Sequence, residues 1–524
     1  MKIVLTAVAL GISLLAGGCA GTSGSGGQSS TAAQAGLQPL PQADLRWLNR
    51  VSFGVDSELV ARYRKLGRER FLDEQLAPPK GDPQVLADEI AILPVTQTSA
   101  EQQFRALRAE QQRIQKLPPE EAQPARDALN KANNQVVYEV SRRHLMRALR
   151  SPAQLQEVMT WFWMNHFNVY SGKGNVRWAL GEYEDRAVRP NALGKFPVLV
   201  MATLKSPAML EYLDNAQSAV NRVNENYARE LMELQVLGVS GGPSGSTYSQ
   251  KDVQELARVL TGAGIDYDGL APRLSPERAS LYIRSGLFEF DPNRHDFGPK
   301  VVLGQPIAGR GFAEVDDAVQ LLCRQPAAAR FISAKLATFF VGDDPPPALV
   351  DRMTASFTRS GGDIAVVLKT LLLDPAFDRA IAERPSRLKD PVMFVASSLR
   401  LAYDGRAFTN YRPVLGWLNQ LGEPLYGRVT PDGYALTEAA WASSGQMVKR
   451  FEIARAIGSG NAGLFRTDDD KPGPRAGFPV INSPLYYAAV EPTLEQATRG
   501  TLDQATSQQE WNTLLLASPD WMQR

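Results

Sequence analysis

Apolar residues recur at helical spacing through most of this chain, and that spacing constrains the fold more than any other feature. SELVARYRKLGRERFLDEQL, residues 57–76, shows it early. Cap signals punctuate the pattern. Ser151-Pro152 with Gln154 reads as a capping box opening one helix; Ser249 with Asp252 opens another before VQELARVL, which Gly262 closes. ALVDRMTASF follows Asp344 and three prolines and ends at Ser360-Gly361, and GGDIAVVLKTLLLDPAF forms a further helix that stops at Asp374-Pro375. Residues 98–135 are polar and broken by Pro118-Pro119, so they read as a protruding helical pair with wide exposed faces. The period changes only between about 262 and 312. There LYIRSGLFEFDPNRHDFGPKVVLG alternates around turn residues, as a small hairpin or long ordered loop near 280–310 would. Gly- and Pro-rich stretches at 403–436 and 457–485 read as long irregular connections. The expected fold is mainly α: one multi-helical domain over residues 44–520.

The first residues point to export. Met1-Lys2 is a minimal basic start, and IVLTAVALGISLLA is an apolar run too short to remain as a membrane anchor. It ends in AGGC, similar to a bacterial lipobox, so residues 1–19 are expected to be a signal peptide with Cys19 the lipidated residue. Residues 20–43 then form a flexible tether. The expected location is the cell envelope, as a periplasmic or outer-membrane lipoprotein. A formal net charge of +1 supplies no electrostatic footprint for nucleic acid, and interspersed charges leave no polybasic patch. Membrane contact is therefore expected only through the lipid. Cys323, among leucines in VQLLCRQPAAARF, reads as a buried, inert thiol.

Three stretches can carry chemistry. On a helical wheel of NENYARELMEL, residues 224–234, Tyr227, Leu231 and Leu234 share the core face. Glu225 and Arg229 lie opposite as a solvated pair, while Asn226, Glu230 and Glu233 form a stripe beside the core. The second stretch, TWFWMNHFN, is apolar nearly all round and should be buried. His166 falls on a different side from Asn165 and Asn168, and all three need hydrogen-bond partners. Glu230 and Glu233 are the candidate partners. The third, DPNRHDFGPKVVLG, offers His295 oriented by Asp296. His144, in SRRHLMRAL, reads as a surface or rim residue. HExxH, CxxC, GxSxG and a Walker loop are all missing, which argues against the common zinc, α/β-hydrolase and P-loop chemistries. Cofactor and metal are unknown from the sequence.

Seven motifs occur in an order that resembles one bacterial family, the domain of unknown function 1800 (DUF1800). They are LNRVSFGV, WFWMNHFNVYSGKG, RPNALGKFPVLVMATLKSPAMLEYLDNAQS, NENYARELMELQVLGV, SQKDVQELARVLTG, HDFGPKVVLG and ARFISAKLATFFVGDDPPPALV. Two departures stand out: the link GGPSGSTYSQKDV is longer than usual, and Ala263 stands where the family usually has Trp. The resemblance implies an exported, largely helical protein whose reaction is uncharacterised, and a shared pathway or complex with an exported partner similar to sulfatases. His166, Asn224, Glu225, Asn226, Arg229, Glu230, Glu233, His295 and Asp296 match characteristic positions of the family. Two readings follow. In the first, His166, Glu230, Glu233 and His295 line one pocket as acid–base groups; Asn165, Asn168, Asn226, Arg229 and Asp296 orient a substrate. Hydrolysis or elimination on an envelope or extracellular polymer is the expected reaction. In the second, the protein is a non-catalytic assembly factor or scaffold for the sulfatase-like partner, which docks on the helices at 98–135.

Overall fold

The computed structural model describes residues 38–239, 247–383, 387–467 and 477–524. The chain is 61% helix and 4% strand, so it is mainly α. Cys19, the proposed tether to residue 37, most of the long link after Val239 and the middle of the 457–485 connection lie outside the described residues.

The first described helix and the last residue are packed together. Arg50, in the helix Gln42–Val51, is 1% exposed and donates to the carbonyls of Phe340 and Val341, while Arg524 donates to Arg50 O at 2.7 Å. One hydrophobic cluster runs from Leu40 to Met522. At its centre is the helix Gln154–His166, in which every residue but Gln156 is buried. No helix among the described residues is long and apolar enough to cross a membrane.

Ser249 and Asp252 do form a capping box on Gln250–Val259, and Gly361 ends Pro347–Ser360 in the left-handed conformation. The box read at Ser151 is not formed. Ser151 instead follows the long helix Pro119–Arg150, and the next helix begins at Gln154. The Gln154 amide reaches back to Ser151 O at 2.7 Å, and its side-chain oxygen accepts from Phe53 N at 3.1 Å. A tertiary contact has thus taken the side chain that a local cap would have used.

The polar pair comprises Ala100–Gln115 and Pro119–Arg150. Its first helix leans on the β region: Phe104 packs on Tyr267, and Glu101 pairs with Arg284 at 2.9 Å. That region is more than a loop. Strands β1 (Ala263–Ile265), β2 (Ile283–Ser285) and β3 (Phe288–Phe290) form an antiparallel sheet in the order β1-β3-β2. Ala263 is opposite Phe290, and Ile283 is on the other side of the same residue. A hairpin of β4 (Lys300–Val302) and β5 (Gln305–Ile307) follows. The 403–436 connection also holds a helix, Arg412–Gln420.

Two helices open into π turns, at Tyr183–Val188 and at Leu231–Val236. Such turns leave the ordinary ladder and recur at functional sites. The second lies inside NENYARELMELQV.

Candidate functional site

The histidine helix ends at His166, with the Phe167 N–H closing on Trp163 O at 2.8 Å. Two buried amides there clamp the segment 424–434. Asn165 exchanges hydrogen bonds with the Tyr434 backbone at 3.0 and 2.6 Å; Asn168 donates to the carbonyls of Arg428 and Thr430. Gly433 lies against this clamp with φ +75°, and a Cβ there would collide with the Asn165 carbonyl. Both asparagines therefore hold backbone.

His166 faces the other way. It is 1% exposed, ringed by Phe162, Trp163, Phe167 and Phe331. Its Nε2 is 2.9 Å from Gln235 O and must donate to it. Gln235 lies in the last turn of its helix, where carbonyls lack intrahelical donors. The tautomer that results leaves Nδ1 as an acceptor, and Lys335 Nζ donates to it at 2.9 Å. Burial first, then Lys335, hold the imidazole pKa well below its ordinary value, so His166 is neutral. The expected carboxylate partners are not there: a carbonyl and a lysine bind His166 instead.

Lys335 escaped the sequence reading. It lies on the helix Pro326–Phe340, and burial lowers its pKa to about 8, opposed by the field of Asp432. Asp432, at 3.0 Å from Arg428, belongs to the clamped segment. The same Asp432 acts on Glu230. Burial raises the pKa of this half-buried carboxyl, helped by Glu233 and Asp432 and resisted by Arg229. Arg229 in turn reaches Glu225 at 3.3 Å and Glu233 at 3.6 Å. The phenol of Tyr248 is pushed up to about 12, mainly by burial and then by Glu233. Lys335, Asp432, Glu230, Glu233 and Arg229 thus share one electrostatic neighbourhood. The motif tract supplied Glu230, Glu233 and Arg229. Lys335 lies in the motif ARFISAKLATFFVGDDPPPALV and Asp432 in the 403–436 connection, but the sequence reading singles out neither.

His295 and Asp296 are in a different place. His295 is 3% exposed; its Nδ1 is 2.7 Å from Thr261 O, and its Nε2 is 2.8 Å from Glu314 Oε1. Lys300 Nζ donates to Glu314 Oε2 at 2.6 Å, and the amides of Arg310 and Gly311 also bond that carboxylate. Asp296 is bound by Arg258 at 2.7 Å. Every polar atom of His295 is satisfied, and it shares no partner with His166. Among the described residues the two histidines, expected in one pocket, belong to separate hydrogen-bond networks. His144, read as a rim residue, is 1% exposed. Its Nδ1 is 3.1 Å from Glu184, whose other oxygen accepts from Tyr426 OH at 2.6 Å. The long helix carries it inward because its last third, from Tyr138 on, enters the core. Cys323 is buried, with its thiol pKa raised by that burial.

Tyr212 joins the cluster to open space. Its hydroxyl donates to Val429 O at 2.7 Å, and its phenol lies in the fields of Glu230 and Asp432. Its carbonyl accepts from Lys173 Nζ at 2.6 Å. Lys173 and Asp214, 2.7 Å apart, form one lip of a groove of about 770 Å³. Asn224 and Glu225 of the motif helix are on its wall. Asn226, the next residue, donates to Leu213 O at 3.2 Å. A second lobe of about 660 Å³ shares Gln217, Arg222 and Tyr267 with this groove, and a side lobe of about 320 Å³ shares Glu211, Gln217 and Tyr267. A separate cleft of about 440 Å³ beside Asp56 and Arg400 shares no residue with it. Among the described residues no three His, Cys, Asp or Glu side chains group as metal ligands.

A family model with the description "Protein of unknown function (DUF1800)" matches residues 46–523. The chain belongs to that family. No curated protein and no solved structure matches it. The DUF1800 match spans the cluster and the whole groove. Several DUF1800 motif residues therefore close structural networks, as Asn165, Asn168, His295 and Asp296 do. The NENYAREL tract is different, because it forms part of a groove wall on one turn and of a charged cluster on the next.

Proposed function

We propose that this DUF1800 protein is an exported, lipid-anchored acid–base enzyme that cleaves an envelope or extracellular polymer by hydrolysis or elimination. Glu230 is the base and the Lys335 ammonium the acid. One observation carries the reading: a carboxyl raised and an ammonium lowered in pKa by burial, with Asp432 acting on both. Opposite shifts of this kind bring an acid and a base towards neutral pH, where each transfers protons efficiently. Between the two pKa values Glu230 is ionised and Lys335 protonated. Glu233 and Arg229 set the field on Glu230. His166 is a positioning residue, because its neutral Nδ1 fixes the ammonium without competing for charge. The residues 1–19 pattern supports export and Cys19 lipidation.

The test is release of soluble fragments from isolated envelope polymers by the full chain. Glu230→Gln and Lys335→Met are expected to lower turnover by about 10²–10⁴-fold, the usual worth of a proton-transfer group. The Glu230→Gln melting temperature should be unchanged. Turnover retained in both variants would overturn the assignment. For the anchor, incorporation of labelled fatty acid should vanish in Cys19→Ala.

A second reading, a scaffold for a sulfatase-like partner, has one observation in its favour: most positions at 119–135 in the long helix are exposed. Co-purification of such a partner that disappears on trimming this segment, with no turnover by the protein alone, would support it.

A further inference from the structure

The groove beside the cluster has an unusual charge balance. Nearly every charge on its walls already faces an opposite one: Asp214 faces Lys173, Glu225 faces Arg229, and Asp268 is 3.4 Å from Arg108. In the second lobe Glu289 is 3.4 Å from Arg294, and Asp266 is 2.9 Å from Arg284. Asp291, also on the second lobe, is buried, accepts from the Asn293 N–H at 2.9 Å and has no cation partner among the described residues; two more accessible charged groups are left over. Arg222 bonds only Gln217, through its side-chain and backbone oxygens at 2.9 and 3.2 Å. Glu211 has a phenol as its side-chain partner, Tyr267 OH at 2.7 Å, and no cation.

With Arg229 and Arg284 counted beside the lining residues, seven carboxylates meet six cations, so a polyanion or a polycation would meet little net field and counterion release would not be the main drive of its binding. Paired charges do present donors and acceptors side by side along the wall. That pattern suits a ligand whose groups can each donate and accept, as sugar hydroxyls and amides do. Lobes that share walls in this way suit an elongated occupant.

We propose that this groove binds an uncharged, linear, hydroxyl-rich glycan, with Arg222 and Glu211 as its two principal charged contacts. This deepens the polymer-cleavage reading and rests on it for what happens to the bound chain. Occupation itself does not depend on catalysis.

The experiment is equilibrium binding of the full chain to three kinds of soluble oligomer: a neutral glycan, a sulfated or uronate glycan, and oligolysine. The neutral glycan should bind, with affinity that hardly changes from low to high salt. Arg222→Gln should weaken it about tenfold, the scale of one charge-assisted hydrogen bond. Arg222 is exposed, and Gln217→Ala offers a second wall variant should Arg222→Gln fold poorly. Glu230→Gln should bind normally. Neutral-glycan binding with no cleavage would retain this inference and remove the catalytic one. Tighter binding of a charged oligomer, abolished by salt, or no binding of the neutral glycan, would overturn the inference.

Discussion

Replacing Lys335 by Met gives the sharpest test of the cluster, because the consequence depends on pH. Burial lowers the lysine pKa from 10.5 to about 8. At ~1.4 kcal/mol per unit this is about 3 kcal/mol, and nearer ~2 once the partial exposure of the side chain is allowed for. The sign is set by which state holds the proton more tightly. Here it is the unfolded chain. Between about pH 8 and pH 10.5 the unfolded state binds more protons, so stability rises with pH through that window. Below about 8 both states are protonated, and the native state carries the full cost of a buried ammonium. Methionine has no such cost. It does remove the donor to His166 Nδ1, leaving a buried acceptor unsatisfied at ~1–3 kcal/mol, but that loss is the same at every pH in the range. Urea unfolding of both proteins at about pH 7 and about pH 10 should show the wild type gaining about 2 kcal/mol on the variant. Parallel stability curves would mean that Lys335 titrates as an exposed lysine does, and the acid–base assignment would lose its acid.

Turnover should be bell-shaped in pH, with its alkaline limb near 8 from Lys335, and Lys335→Arg should move that limb upward; an unmoved limb assigns it elsewhere. Glu314→Gln should cost about 3–5 kcal/mol in denaturant unfolding, because it leaves Lys300 buried without its counter-charge, while folded variant retains cleavage. Asn165→Ala should cost about 2 kcal/mol and speed tryptic cutting at Arg428, since the 424–434 clamp loses two hydrogen bonds. At low pH the Glu184 and Glu314 carboxyls matter most. Burial alone would raise both, but His144 for Glu184 and the His295 and Lys300 bonds for Glu314 reverse that and hold them below 4.5. Their contribution is present above 4.5 and lost as pH falls, so Tyr426→Phe, which strips one bond from Glu184, should flatten the acid limb of a thermal-melt series.

The helical period and most caps could be read directly, since both are local. Ser249 and Asp252 keep their box because the carboxylate has an oxygen for each demand: Oδ2 takes the Ser249 N–H, and Oδ1 takes the tertiary donor, Leu303 N, at 2.7 Å. Gln154 fails as a cap because Phe53, 101 residues away in sequence, takes its oxygen. The same division holds at the site. The wheel of NENYARELMEL placed Tyr227 and Leu231 in the core and paired Glu225 with Arg229. It could not foresee the π turn at Leu231, after which Met232, Gln235 and Val236 are buried while Leu234 is not fully so. Nor could it name the partner of His166. A lysine in an apolar helix reads as a snorkelling surface residue, and only the meeting of Pro326–Phe340 with the histidine helix makes it part of a cluster.

A buried polar side chain in a closed network and one in a working site look alike in sequence, because both must be matched by partners. They differ in what is left over. Around His295 nothing is: each nitrogen has an acceptor, Glu314 has both oxygens occupied, and Lys300 has its carboxylate. Around Lys335 the balance does not close, since its nearest partner is a neutral imidazole and the carboxylates that act on it and on Glu230 do so through space. The groove repeats the distinction at lower cost, with paired walls and two accessible charges unspent. For a buried group incomplete satisfaction is expensive to maintain, of the order of 1–3 kcal/mol. Two such places joined by Tyr212 and Lys173, on successive turns of one motif helix, are better explained by a ligand that completes them than by a core that tolerates them.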